Sequence, residues 1–490
     1  MIKKGITFLV VLFFAANSFG QSWVWARQAK NLISSTGNGE QGIAVDTLGT
    51  IVIAGNYGNH QISFGSIILP IENVYLVKYD TNGNVLWGRS DSLPNTPGSH
   101  NVCYGMTEDN GGNSFITGYF IYSDYFGSHK LNTPGSDMYL VKYDPNGNVL
   151  WANEGTIFHK TSFCQGTAVC TDIVGNSYLI GDFDDTVVFS TFKMVPQGSM
   201  NSYVAKFDKN GNVLWVTGIH CLTWNSHFRE KAITTDNKGN IYETGFFNDT
   251  ISIGTDTLIG GKHNNLFIAK YDSNGNILWV KCSRMGNAEG NAIATDNTGN
   301  IYVTGDITDT VVINSDTLFS PLGTTVLLVK YDQSGNIKWA KNGALNSYSG
   351  FSITGFSVVT DKSDHPYISG RFIDTISFGS LMLYSDSIYP DFLIKFDSSG
   401  KPICASVINN DGQGTPQSIV IKPQSSMVYF GSTNGFENAV AFGTDTVIGV
   451  ETSFISKWQP CNDEAGVYPI FISADTLKVF PNPSTGLFTL

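Results

Sequence analysis

The chain has 490 residues, with 41 acidic against 29 basic side chains and a net charge of −12. That balance excludes nucleic acid as a partner, because phosphate binding requires a basic face. Hydrophobic residues make up 41% and aromatic residues 13%, ample for a large core, while only 14% are charged and 52 are glycines without a collagen-like period. This is the composition of an all-β protein. Seven cysteines are an odd count with no CxxC pair in a long chain, which excludes a disulfide framework. One or two bridges can form, at least one thiol is left over, and none is expected to be essential.

Residues 1–20 carry Lys3 and Lys4, then the apolar run from Ile6 to Ala16, then Ser18 and Gly20 before Gln21. This is the pattern of a cleaved secretory signal, too short to span the roughly 30 Å of hydrocarbon in a bilayer. No cysteine sits at the cut to carry a lipid, and no other stretch is apolar enough to cross. The expectation is a protein without a transmembrane anchor, exported through the periplasm and secreted or held on the outer cell surface.

The mature chain is a repeat. KYDTNGNVLW begins at Lys78 and returns at Lys142, Lys206, Lys270 and Lys330, with a looser copy at Lys395 and a stub at Lys457. The intervals between these lysines are 64, 64, 64, 60, 65 and 62 residues. A second signature lies upstream of each lysine, as in AIATDNTGNIYVTG, and its last residue is Gly55, Gly118, Gly181, Gly245, Gly305, Gly370 or Gly431. Self-similarity at a fixed period decides the architecture before any local reading. Alternating apolar residues predict half-buried strands, and the D-x-x-G-N segments place Gly where a hairpin needs positive φ. Four strands per module follow: A (AIATD), B (NIYVTG), C (LLVKYD) and D (NIKWAK), with a short extra hairpin such as DTISIGTDTL between B and C.

Seven four-stranded modules predict a seven-bladed β-propeller over residues 21–461. The seventh copy stops after Lys457 without a D strand. Trp25-Ala26 near the amino terminus matches Trp151-Ala152, so the amino-terminal strand is expected to complete the last blade and remove an open edge. The repeated Trp is expected to pack between blades as core, and the repeated Lys to lay its stem there with its head paired or solvated.

TDNTGNIYVTG and its relatives resemble the SBBP β-propeller repeat of bacterial secreted proteins across most of residues 22–460. The resemblance implies a fold and no common catalytic motif. After a linker over 462–476, LKVFPNPSTGLFTL (477–490) resembles the opening of the type A carboxyl-terminal sorting domain of the type IX secretion system of Bacteroidetes. Pro481, Asn482, Pro483 and Gly486 carry that likeness. It implies the type IX machinery as a partner and the start of a small β-sandwich, truncated where the sequence stops.

The A–B and C–D turns are short and alike and share one face. The D–A connections vary and share the other face with the B–C hairpins, where binding residues are expected to concentrate. His100, His159, His220, Trp224, His227 and Phe228 lie there and are the candidate ligand residues. Their spacing fits no zinc site, the turn aspartates lack the further acids of a calcium loop, and no GxSxG, HExxH or P-loop occurs. No cofactor, metal site or catalytic residue is assigned. The leading expectation is a binding module for a glycan, peptide or protein. The alternative, an extracellular hydrolase or lyase, requires carboxylates or histidines gathered at one mouth of the channel.

Overall fold

The computed structural model describes residues 22–461, apart from 32–38, 58–60, 71–72, 93–98, 199, 223–226, 314–315, 346–352, 386–389, 410–415, 423–424, 435–439, 443–444 and 448–451, together with 470–473 and 476–479. The predicted signal (1–20), Trp224 and the motif residues Pro481, Asn482, Pro483 and Gly486 lie outside the described residues.

The described residues form strands in small antiparallel sheets. In the fourth repeat A is Phe228–Thr235, B is Ile241–Phe247, C is Asn265–Tyr271 and D is Ile277–Arg284, each antiparallel to the next. The other repeats keep this order and register. Lys78 faces Trp87, Lys142 faces Trp151, Lys206 faces Trp215, Lys270 faces Trp279, Lys330 faces Trp339 and Lys395 faces Cys404. The last repeat draws its D strand from the other end of the chain. Ser22–Asn31 pairs with Thr452–Gln459, and Trp25 faces Lys457. The result is an all-β, propeller-like repeat protein.

Two features differ from the expected strands. B and C are buried on both faces, as in Val326 to Tyr331, because each sheet is sandwiched between its neighbours. The extra hairpin, moreover, does not stay within its own repeat. Its first strand pairs with the end of the preceding D strand, at Ala29↔Phe64, Ile219↔Ile253 and Ser283↔Ile313, or with a short strand just after it, at Thr156↔Val188 and Ala344↔Ser377. Backbone hydrogen bonds therefore join several of the successive sheets. At the far end, Ile470–Ser473, inside the stretch read as a linker, is a strand paired in parallel with Leu381–Tyr384.

The repeated Lys and Trp meet at a single acceptor. Lys206 Nζ donates to the Ser273 carbonyl (2.9 Å) and sits 5.1 Å from the Tyr178 ring, and Trp215 Nε1 donates to the same carbonyl (3.2 Å). That carbonyl belongs to the C–D turn of the next repeat. Lys142 with Trp151, Lys270 with Trp279, and Lys330 with Trp339 converge likewise on Lys209, Gln333 and Ser398. Lys457 and Trp25 do the same at Thr81 of the first repeat. The indole lies flat on the turn glycine: a Cβ on Gly275, whose φ is +84°, would come within 2.8 Å of Trp215. Trp87, Trp151, Trp215, Trp279 and Trp339 are therefore half-buried clasps between repeats rather than enclosed core. Where the sixth repeat has Cys404 in place of Trp, a disulfide to Cys461, just after the last C strand, closes the seam. The other five cysteines are free.

Candidate ligand-binding face

The D–A connections lie at one end of the sheets, and the B–C hairpins start from that end and run back beside the D strands, so that the tip at Gly254 reaches Ile277 at the start of its own D strand. The five described candidates, His100, His159, His220, His227 and Phe228, do not form one site. His100 is exposed at the start of its A strand, its ring 6.2 Å from that of Tyr119. His159 is exposed and hydrogen-bonds through Nδ1 to Asp185, whose carboxyl this contact helps hold at about 2. His220 turns Nδ1 to Asn201 Oδ1 (2.9 Å) in a half-buried position, and burial lowers its pKa. His227 is exposed, with its backbone N–H donating to Asn248 Oδ1 (2.6 Å). Phe228 corrects the reading. It is 1% exposed and packs on Phe267 with ring centroids 5.2 Å apart. It begins the A strand with its side chain directed into the sheet stack, so it belongs to the core.

A feature hidden in the sequence organises this face. Every A strand carries a β-bulge, the register shifting between Glu40 and Gly42, Cys103 and Gly105, Gly166 and Ala168, Glu230 and Ala232, Gly290 and Ala292, Gly355 and Ser357, and Pro416 and Ser418. A bulge leaves one residue unpaired and re-aims its side chain. It also explains the repeated B-strand glycine: a Cβ on Gly245 would lie 2.0 Å from the Arg229 carbonyl, and one on Gly305 would lie 1.9 Å from that of Glu289.

The bulged residues include Tyr104, Thr167, Lys231, Asn291 and Phe356, five different chemistries at one structural position. Residues just after the B-strand glycine stand beside them. The Tyr104 and Tyr119 rings are 5.7 Å apart, Lys231 Nζ lies 5.5 Å from the Phe246 ring, and Arg371 Cζ lies 5.9 Å from Phe356. Asn291 Nδ2 reaches Thr354 Oγ1 (3.0 Å), Gly355 O (3.1 Å) and Asp306 Oδ1 (3.1 Å).

Three seams share one packing, and another replaces it with acids. Gly166, Gly290 and Gly355 each pack on a Thr hydroxyl of the preceding repeat, so that a Cβ on Gly290 would lie 2.2 Å from Thr244 Oγ1. The fourth repeat has Glu230 at this position, and the third has Ile180 where the Thr would be. Glu230 (1% exposed) and Asp182 (3% exposed) lie side by side there, Thr167 Oγ1 donating to Glu230 Oε1 (3.4 Å) and Gln165 Nε2 to Asp182 Oδ2 (3.0 Å). Burial raises both acids, and Asp182's charge raises Glu230 further. Arg229 and Tyr104, both exposed, lie within electrostatic range of them.

Below the bulges the A strands surround a cavity of about 450 Å³, lined by Ile43 to Val45, Met106 to Glu108, Val169, Cys170, Ile233, Thr234, Ala294, Thr295, Val359, Thr360, Val420 and Ile421. Thr hydroxyls link neighbouring strands: Thr171 donates to Glu108 O (3.0 Å), and Thr235, Thr295 and Thr360 each donate to the preceding Thr carbonyl (2.9 Å). The one titratable carboxyl in this lining, Glu108, turns to Lys78 (3.4 Å), and burial pushes it to about 7. The turn aspartates are filled by their own turns, Asp272 Oδ1 accepting from the N–H groups of Asn274 and Asn276. Among the described residues no cluster of three or more His, Cys, Asp or Glu could hold a metal, and no helix is long and apolar enough to cross a membrane.

No protein-family model matches the chain. An uncharacterized WD repeat-containing protein of Acanthamoeba polyphaga mimivirus is 27% identical over 34% of this chain, which spans 14% of that relative. Among solved structures, a protein of unknown function from Dyadobacter fermentans aligns over 90% of this chain and 99% of its own at 9% identity, with a TM-score of 0.38. One of unknown function from Bacteroides caccae covers 72% and 92% at 12% identity (TM-score 0.34), and Raptor from Chaetomium thermophilum covers 89% and 30% at 8% identity (TM-score 0.45).

Proposed function

We propose that this chain is a seven-bladed β-propeller acting as a secreted or surface-held interaction module, which takes a glycan, peptide or protein on the face of the D–A connections and bulged residues. The observation that carries the reading is the bulge position. A scaffold repeated almost residue for residue presents Tyr104, Thr167, Lys231, Asn291 and Phe356 at equivalent points, and variation confined to one exposed end is what a binding surface requires. Export is supported by the signal pattern in residues 1–20, and the Cys404–Cys461 bridge suits an oxidising compartment. The Pro481-Asn482-Pro483 motif supports the type IX machinery as the partner in export.

The test is a glycan and peptide array probed with the purified full chain, repeated with Tyr104→Ala/Arg229→Ala and with Trp224→Ala. Binding that either variant abolishes supports the reading; binding unchanged in both overturns this face as the site. The Asp182–Glu230 pair gives the hydrolase alternative its one supporting observation. Both acids are, however, nine-tenths or more buried, which removes them from reach of a substrate. Turnover of a polysaccharide or peptide pool that Glu230→Gln abolishes would favour the enzyme instead.

A further inference from the structure

Away from that face, on the seam between the fifth and sixth repeats, a cavity of about 300 Å³ opens between the D strand of one and the turns of the other. Its floor is apolar, formed by Phe378 (3% exposed), Phe396 (1% exposed) and Pro402. Lys341 and Lys401, both exposed, stand at its edge, and no Asp or Glu lines it. In a chain of net charge −12 this is a locally cationic pocket over an aromatic floor.

Comparison with the other seams shows why the space is there. At four other seams the residue two places after the Trp, which is Arg27, Arg89, Asn153 or Lys281, fills it. Arg27 donates to Asn82 O (3.2 Å), Arg89 donates to Gly147 O (2.9 Å) and Asn146 O (2.8 Å), and Asn153 donates to Gly211 O (2.8 Å). The Lys281 stem lies on Gly335, 3.1 Å from where its Cβ would be. Lys341 holds the same position but makes no such contact: what lies nearest Gly400 is Trp339, and neither Lys341 nor Lys401 has a hydrogen-bond or ion-pair partner for its ammonium among the described residues. A cationic seam residue has been left without its carbonyl, beside a second lysine and above buried rings.

We infer that this pocket binds a small carboxylate carrying a flat apolar face, the carboxylate between Lys341 and Lys401 and the ring on Phe378 and Pro402. Charge-assisted contacts fix the anion, and the apolar floor accepts the ring. A hexuronate and an aromatic acid share this chemistry, and the volume admits one ring of either. The site is independent of the loop face, so its failure leaves the proposed function standing.

Saturation-transfer NMR on the full chain tests it, using sodium glucuronate and sodium benzoate as probes with glucose and benzyl alcohol as neutral controls. The expected result is transfer to one or both anions and not to the neutral controls, with affinity lowered about tenfold or more in Lys341→Gln/Lys401→Gln. Both lysines are exposed, so the variant should keep the parent melting temperature. Glucuronate alone identifies a sugar acid as the source, and benzoate alone an aromatic acid. Binding of neither anion, equal binding of the neutral controls, or unchanged affinity in the folded variant overturns the inference.

Discussion

At the turn end of the inner strands the repeats are nearly interchangeable, whereas at the opposite end the same strands carry Tyr, Thr, Lys, Asn and Phe at one equivalent position. The two ends also treat their carboxyls in opposite ways. Burial raises Asp236 and Asp296, but the Asn240 and Asn300 side chains and the turn N–H groups outweigh it and hold both below the ordinary value. At the other end, burial pushes Asp306 to about 6 and raises Asp182 and Glu230, with no comparable set of donors to oppose it. One end is built for stability from groups that satisfy one another. The other tolerates variety and strained protonation, as binding surfaces often do.

The contrast can be broken at several points. The largest effect is expected where the repeat is interrupted: Cys404→Ser/Cys461→Ser opens a bridge across 57 residues of sequence and should cost about 4 kcal/mol by loop-closure entropy, read as a fall in urea midpoint. Gly245→Ala drives a Cβ into the Arg229 carbonyl and should cost about 3 kcal/mol, while Gly379→Ala, whose Cβ meets nothing within 4 Å, should cost much less despite its positive φ of +59°.

A pH series separates the two ends further. Buried Glu243, hydrogen-bonded by Tyr271, is held at about 7 by burial, so the folded state keeps a proton that the unfolded chain loses near its ordinary value. Its contribution is complete below that ordinary value and is lost as pH rises toward about 7. Glu243→Gln should remove on the order of 2 kcal/mol of this decline, measured as melting temperature from pH 4 to pH 8. The turn aspartates act in the other direction, contributing above their ordinary value and losing that contribution as pH falls. Trp215→Ala removes one clasp and half-buried area, for about 2 kcal/mol. Tyr104→Ala should change stability by less than about 0.5 kcal/mol while altering ligand binding, because its ring is exposed.

Much of the scaffold was legible in the chain. The spacing of seven lysines set the repeat, and the match of Trp25-Ala26 to Trp151-Ala152 anticipated the closing strand. The bulges were not legible: a single inserted residue whose identity changes from Tyr104 to Lys231 looks like noise in a linear comparison, and only the strand register exposes it. Phe228 was assigned to the ligand face because it follows a variable connection, yet its alternation with exposed Arg229 already marked it as part of a strand. Cys404 was recognised at the Trp position, but its partner lies just after the last C strand, in a stretch too degenerate to align. The Asp182–Glu230 contact joins two repeats, which a reading confined to each repeat passes over.

The segment 22–31 pairs with the final sheet and also, through Ala29 and Phe64, with the hairpin of the first repeat. The earliest-made part of this region can reach its main partner only after residue 459 exists, so closure is a contact of the longest possible sequence separation. Such contacts form late and slowly. Until then Thr452–Gln459 offers an unpaired strand, and any second chain arriving first could donate its own amino-terminal segment to that edge, turning a folding delay into a route to exchanged dimers.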